Sequence, residues 1–286
     1  LRCPYVLFVN GLPAEELTGL WGLAPIRGLA QWALRLSAQR AQAVVSVCRE
    51  IPQWMQREWG IEAARCRVIR NGVDPSACMP CDKAEARRRL GLSPDRPYIG
   101  FVGGFFPWHG LDTLVEAMAL VRREYPTAKL LLVGDGQTKP ALETLVRQQG
   151  LEAAVSFVGR VGFDEVSWWI GASDLCVVLH RPVRFYPGDS MKIWEYMACG
   201  RPVVATEGEG YGDLVEGLGA GVSVKGDEAS AIGGAILRLL GDPVSAAAMG
   251  QLGHVAVARF HTWDQRAKEL ETVCARPAAA IRSLAC

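Results

Sequence analysis

The chain has 286 residues, 50% of them hydrophobic, with 31 basic and 30 acidic residues and a formal net charge of +1. That is enough for one large or two medium domains with buried cores, and the balance of charge excludes a global field that would gather nucleic acid or an anionic membrane. Any anion must therefore be held locally.

The nine cysteines are scattered, and the single C-x-x-C (Cys78, Cys81) has no second pair or histidine pair at zinc-ligand spacing. They read as reduced thiols of a cytoplasmic protein. No apolar run approaches the roughly 20 residues of a membrane span. The start LRCPYVLFV has neither the basic region nor the cleavage site of a signal peptide. A natural chain begins with Met, so Leu1 sets the expectation that residues precede it.

Short apolar, β-branched runs alternate with helix-period segments. The predicted strands are 5–9, 43–47, 67–69, 98–102, 129–133, 155–158, 175–179, 202–205 and 221–224. Strands without polar alternation are buried on both faces, which means a parallel sheet covered by helices, a doubly wound α/β architecture. The intervening helices carry apolar stripes at helical spacing, for example Leu111, Leu114, Val115 and Met118, then Leu142, Leu145 and Val146. The rhythm breaks between Asn71 and Pro97, where Pro, Gly, Asp and charge concentrate. Three segments follow: 1–73 as a partial first Rossmann-like domain, 74–242 as a complete second one, and 243–286 as helices ending in an alanine- and arginine-bearing tail that need not be ordered.

In an open α/β sheet, ligands bind beyond the carboxyl ends of the strands, where loops and helix N-termini meet. The loops there read GGFFPWHG, GDG, GR, HRPVRFYPGDS and TEGEG. Glycines such as Gly103, Gly104 and Gly134 permit close backbone approach to a ligand, although glycine also simply terminates strands. The convergence on one edge favours a cleft. The run SMKIWEYMACGRPVVAT carries the sharpest signal. Ser190 is a good N-cap, so the first amides of the helix can hold an anion. Glu195 on the next turn can accept hydrogen bonds from a vicinal diol. A solvated helix glutamate is the plainer reading of Glu195, opposed by its apolar and aromatic neighbours Ile193, Trp194, Tyr196 and Met197.

RVIRNGVD, IGFVGGFFPWHGLDTLVEAM, LLLVGDG, VSFVGRV and SMKIWEYMACGRPVVAT, in this order and spacing, resemble the family 4 retaining glycosyltransferases of the GT-B fold. The resemblance covers nearly the whole chain, from PYVLFVNGLPAEE to FHTWDQRAKEL. It implies two Rossmann-like domains, the first lacking roughly 100 residues, about half a domain in size, with the terminal helices returning to the first. It further implies transfer of a sugar from a UDP-, GDP- or ADP-sugar to a glycan or lipid-linked acceptor, with no cofactor besides that donor. No nucleic-acid partner is expected, and the setting is cytoplasmic, at most peripheral to the inner face of the plasma membrane. Glu195 would bind the donor ribose, the amides of Ser190, Met191 and Lys192 would face the diphosphate or donor sugar, and the backbone at Arg160 would meet the nucleobase.

Two departures from the family pattern stand out. The carboxylate eight positions before Glu195 is replaced by Pro187; Asp189 is close enough to substitute, although helix capping is its plainer role. The usual diphosphate cations after the first strand are replaced by Gly104 and His109. His109 at a helix start is expected to donate N–H to phosphate, with Lys192, Arg181 and Arg184 as candidates to restore the charge. Trp108 is either a stacking surface for the donor or a wedge closing the PWHG turn. The chain contains no Asp-x-Asp, so metal-independent chemistry is expected, with His109, Lys192 and Glu195 at the reacting end. The alternative is a non-catalytic nucleotide-sugar module or an inactive fragment, favoured by Pro187 and Gly104. An epimerase of the same fold would need more acid and base groups. A dehydrogenase is opposed by GGFFPWHG, which lacks G-x-G-x-x-G spacing.

Overall fold

The structure, a computed structural model, describes residues 4–11, 24–181, 188–208, 210–225 and 228–275. It divides into two compact units, one of Leu1–Gly72, Val183–Asp189 and Trp263–Cys286, the other of Val73–Pro182 and Ser190–Thr262.

In the first unit, β1 (Val6–Val9), β2 (Ala43–Ser46) and β3 (Cys66–Val68) form a parallel sheet in that order. Strand β2 is buried along its whole length, because α1 (Ala24–Arg40) and α2 (Glu50–Trp59) connect three parallel strands that need crossovers. Val44, Ile51, Met55 and Trp59 form its core.

In the second unit, six parallel strands take the order β6-β5-β4-β7-β8-β9. They are β4 (Tyr98–Val102), β5 (Lys129–Val133), β6 (Val155–Gly159), β7 (Leu175–Val178), β8 (Val203–Thr206) and β9 (Gly221–Val224). All nine predicted strands form, with ends shifted by no more than one residue. After α3 (Lys83–Arg89), the covering helices are α4 (Leu111–Glu124), α5 (Lys139–Gln148), α6 (Phe163–Ala172), α7 (Met191–Ala198), α8 (Gly212–Gly217), α9 (Ala229–Gly241) and α10 (Pro243–Phe260). The α4 stripe Leu111, Leu114, Val115 and Met118 is buried against the sheet with Leu142 and Val146 of α5. Strand order reverses between β4 and β7. That switch point opens a crevice at the carboxyl ends of the two strands, between the loops that leave them.

The last helix, α11 (Trp263–Cys274), belongs to the first unit, where Leu270 and Val273 pack with Ala43, Val45 and Ile69. The expectation that 243–286 returns there as a whole needs correcting, because α10 stays with the second unit. Its Gly250 lies so close to the turn after α7 that an added Cβ would stand 2.1 Å from the Gly200 carbonyl oxygen, and one on Gly253 would stand 3.0 Å from Met197 Cγ of α7. Two glycines three apart let α10 approach α7 and the turn that follows it, which holds α10 in place. The expected tail, 276–286, lies outside the described residues. Among the described residues no single helix is long and apolar enough to cross a membrane.

Replacing Gly250 by Ala should therefore destabilise the second unit by about 1–3 kcal/mol, since the neighbour is backbone and has no side chain to move aside. Gly234→Ala in α9, where an added Cβ meets nothing within 4 Å, should stabilise by about 0.5–1 kcal/mol through helix propensity. Denaturant midpoints of the two variants should move in opposite directions.

Candidate functional site

The crevice is built on β4. Tyr196 of α7 is fully buried, and its hydroxyl accepts a hydrogen bond from the Val102 amide at 2.7 Å and donates to the Val102 carbonyl at 3.2 Å. This fixes α7 against the last residue of β4. One turn earlier on the same helix, the Lys192 side chain runs directly over Gly103. A Cβ there would stand 2.4 Å from Lys192 Cε, and the glycine has φ +142°, a conformation that side chains disfavour.

Lys192 Nζ lies 3.2 Å from His109 Nε2, and His109 Nδ1 lies 2.6 Å from the Gly104 carbonyl oxygen. A carbonyl only accepts, so Nδ1 carries the proton and the Nε2 lone pair accepts from the lysine ammonium. Both ring nitrogens are thus engaged. The expected role of His109 as a direct N–H donor to phosphate is corrected: the ring holds Lys192, and the cation is the lysine's. Burial, and then the Lys192 charge, push the His109 pKa down to about 4, so the ring is neutral near pH 7. Burial lowers Lys192 to about 8, an effect that Glu195 opposes. Phe101 lies 5.7 Å below the ammonium, a cation–π contact on its inner side.

Glu195, the next carboxylate along α7, is half-buried and makes no hydrogen bond or ion pair with the described residues. Burial raises its pKa, and Lys192 acts in the opposite direction. Ser190 opens the helix with an extended backbone (φ −71°, ψ 111°) and makes no side-chain capping bond. Exposed Met191 follows it. The first amides of α7 face out of the helix here, as at any helix N-terminus.

The remaining expected residues divide by position. Gly134 (φ +130°) is required by packing, since a Cβ would stand 2.0 Å from the Gly103 carbonyl oxygen. Trp108 closes its own turn, stacking on Phe106 at 4.7 Å and 6° while its carbonyl accepts from the Arg181 amide. The Arg160 side chain is 83% exposed, with Nε 3.9 Å from Asp135. Arg181 is drawn to the start of α4, pairing with Asp112 at 2.9 Å and donating to Thr113 at 2.7 Å; this position is a correction to its place among the diphosphate cations. Asp189 belongs to the first unit and is buried there. Its carboxylate accepts from the Asn71 amide at 2.5 Å and lies 3.4 Å from Arg70. Within the first unit Arg70 and Asn71 thus neutralise and satisfy this carboxylate, so it does not stand free in place of the missing one. Arg184 and Pro187 lie outside the described residues.

Sequence reasoning missed two contributors. Tyr196 follows Lys192 by one helical turn, and its hydroxyl on an otherwise apolar face was the available signal. His180, after β7, donates its amide to Thr206 at 3.0 Å and stacks on Tyr211 at 5.0 Å, tying the loops after β7 and β8 together.

The family model for glycosyl transferases group 1 matches residues 96–242, half of the chain, and that for glycosyltransferase family 4 matches residues 1–77. The chain belongs to the family 4 (group 1) glycosyltransferases. It is 28% identical over 212 residues to a GDP-mannose-dependent monoacylated alpha-(1-6)-phosphatidylinositol monomannoside mannosyltransferase of Corynebacterium glutamicum, covering 71% of this chain and 54% of that one. It spans about half the length of the curated relatives it matches. Sucrose-phosphate synthase from Thermosynechococcus elongatus superposes with TM-score 0.78 at 26% identity, covering 96% of this chain and 67% of the other. Anabaena HepE, solved in complex with UDP, superposes with TM-score 0.77 at 22% identity, covering 96% and 73%. The fold of this glycosyltransferase family member is GT-B.

Removing the Tyr196 hydroxyl as Phe orphans the buried amide and carbonyl of Val102. Stability of the second unit should fall by about 1–3 kcal/mol. Hydrogen exchange at the Val102 amide should accelerate more than at Leu131 in the middle of β5; equal protection at both would remove Tyr196 from its clamping role.

Proposed function

We propose that this chain carries the donor half of a retaining, metal-independent glycosyltransferase that moves a sugar from a nucleoside diphosphate to a glycan or lipid-linked acceptor. The observation that supports it is the pair on one turn of α7: a half-buried cation held in place by His109, and a half-buried carboxylate with no protein partner among the described residues. A nucleoside diphosphate has the matching groups. Its ribose diol donates to Glu195, and its phosphates meet Lys192 and the first amides of α7.

In the proposed reaction the anomeric C–O bond to the β-phosphate breaks, and the leaving diphosphate takes the electron pair. Lys192 and the helix amides stabilise the charge that develops. The acceptor oxygen bonds to the anomeric carbon from the same face, and its proton passes to the departing phosphate oxygen. Among the described residues no side chain in the crevice is placed as a nucleophile, and the sequence lacks the Asp-x-Asp that would bridge a diphosphate through a metal. His109, neutral and doubly engaged, is a positioning residue for Lys192. The mannosyltransferase relative is named as GDP-mannose-dependent, and the HepE structure holds UDP. The donor base of this chain is left open between them, since the expected nucleobase contacts at Arg160 are made by backbone.

A second reading, a nucleotide-sugar module without turnover, is favoured by Gly104, which supplies no side chain, and by Arg181, which is drawn to Asp112. Calorimetric titration with UDP-, GDP- and ADP-sugars, followed by a donor-hydrolysis assay on the best binder, separates the two. Saturable binding with turnover supports the enzyme, binding without turnover supports the module, and no binding to any of the three overturns both.

With the best binder, Glu195→Gln should weaken binding by roughly 10- to 100-fold, about 1.5–3 kcal/mol for a charge-assisted bond. An unchanged affinity would assign Glu195 to the scaffold. The ammonium form of Lys192 is the one that holds diphosphate, and its pKa of about 8 places it below that pH. Donor affinity should hold from pH 6 to 7.5 and decline as pH rises through 8, and the Lys192→Ala variant should bind more weakly with no such inflection.

A further inference from the structure

At the opposite end of the second unit's sheet, ahead of β4, β7 and β8, lies a cavity of about 390 Å³. Pro97, Asp174 and Pro202, which precede those three strands, mark its floor. Four cations line it, Lys83, Arg87, Arg96 and Arg201, against two carboxylates, Asp95 and Asp174. Asp174 is saturated from within: Lys83 Nζ lies 2.7 Å from one oxygen, while Arg87 Nη2 and the Tyr98 amide each lie 2.8 Å from the other. That triad is a closed structural unit.

The other two arginines are not so matched. Arg96 is half-buried and makes no hydrogen bond or ion pair with the described residues. The Arg201 side chain gives one hydrogen bond to the described residues, from Nη2 to the Cys81 carbonyl at 3.2 Å, and its Nε is buried without a partner among them. A half-buried guanidinium keeps its charge at any physiological pH, so an excess of positive charge stands in a partly dehydrated space. The facing wall is apolar, formed by Tyr125, Leu239 and Leu240. The volume lies in the range of small-molecule sites.

We propose that this cavity is a second ligand site, for a phosphomonoester with a compact hydrophobic or ring-shaped body. The phosphate brings about 1.5 to 2 negative charges and three acceptor oxygens to the forks of Arg96 and Arg201, and the body covers Tyr125 and the two leucines. The site is separate from the crevice at the carboxyl ends of the strands, and the proposal does not depend on the donor reading.

The test is calorimetric titration of the full chain with inorganic phosphate and with phenyl phosphate, near pH 7.5, on the native sequence and on Lys192→Ala, which weakens the crevice as an anion site. Phenyl phosphate should bind saturably, about tenfold more tightly than inorganic phosphate through its apolar contact, and equally well to Lys192→Ala. Arg96→Gln, whose side chain supports nothing else in the fold, and Arg201→Gln should each weaken it about tenfold. Should Arg201→Gln fail to fold, as a thermal melt would show, Arg96→Gln alone decides. No saturable binding, equal affinity for the two probes, or binding that survives Arg96→Gln and is lost in Lys192→Ala would each overturn the proposal.

Discussion

The hydroxyl of Tyr196 satisfies both backbone groups of Val102, the last residue of β4, and the geometry of the crevice depends on it. A strand at the switch point loses its ladder partners before its neighbours do: β4 pairs with β7 only through Ile99 and Gly100. An unpaired amide and carbonyl buried at that point would cost several kcal/mol. Supplying the missing donor and acceptor from α7 removes this cost and sets the helix against the strand end with hydrogen-bond precision. Lys192 and Glu195 ride on that helix, one turn and one residue before the tyrosine. The placement of Lys192 over Gly103 is therefore a consequence of satisfying β4.

The electrostatics follow from the same placement. Bringing a lysine over a glycine loop removes much of its water, which lowers its pKa to about 8 and makes the loss of a hydrogen bond expensive. His109 supplies an acceptor and adds no charge, and it can do so because its Nδ1 proton is taken by Gly104. A second cation at position 109 would repel Lys192 at 3 to 4 Å, so the chain carries one strong charge here with a neutral support. Glu195 leaves its carboxylate oxygens without a partner among the described residues, while its charge opposes the lowering of the Lys192 pKa by burial.

Much of the second unit was legible in the sequence for a physical reason. The buried strands β4, β5, β7 and β8 appear as nearly unbroken apolar runs, and glycines in the loops after β4 and β5 marked the carboxyl edge. Ser190, Lys192 and Glu195 followed from helix phase alone. What could not be read were relationships set by distant residues. The Nε2 lone pair of His109 meets Lys192, 83 positions away, and the fate of Asp189 is set by Arg70 and Asn71, 119 and 118 positions away. Arg181 resembled a loop cation until Asp112 and Thr113 appeared beside it. The end of the second unit was misplaced because the helix after Pro243 is legible as a helix but its partner is not: the close contacts of Gly250 with Gly200 and of Gly253 with Met197 are ones that no periodicity encodes.

The crossing of Lys192 over Gly103 couples two positions 89 residues apart. A side chain at 103 would occupy the space of the lysine stem and push the ammonium off the His109 imidazole 3.2 Å away. The glycine that supplies no chemistry of its own thus sets where the charge of the neighbouring helix comes to rest.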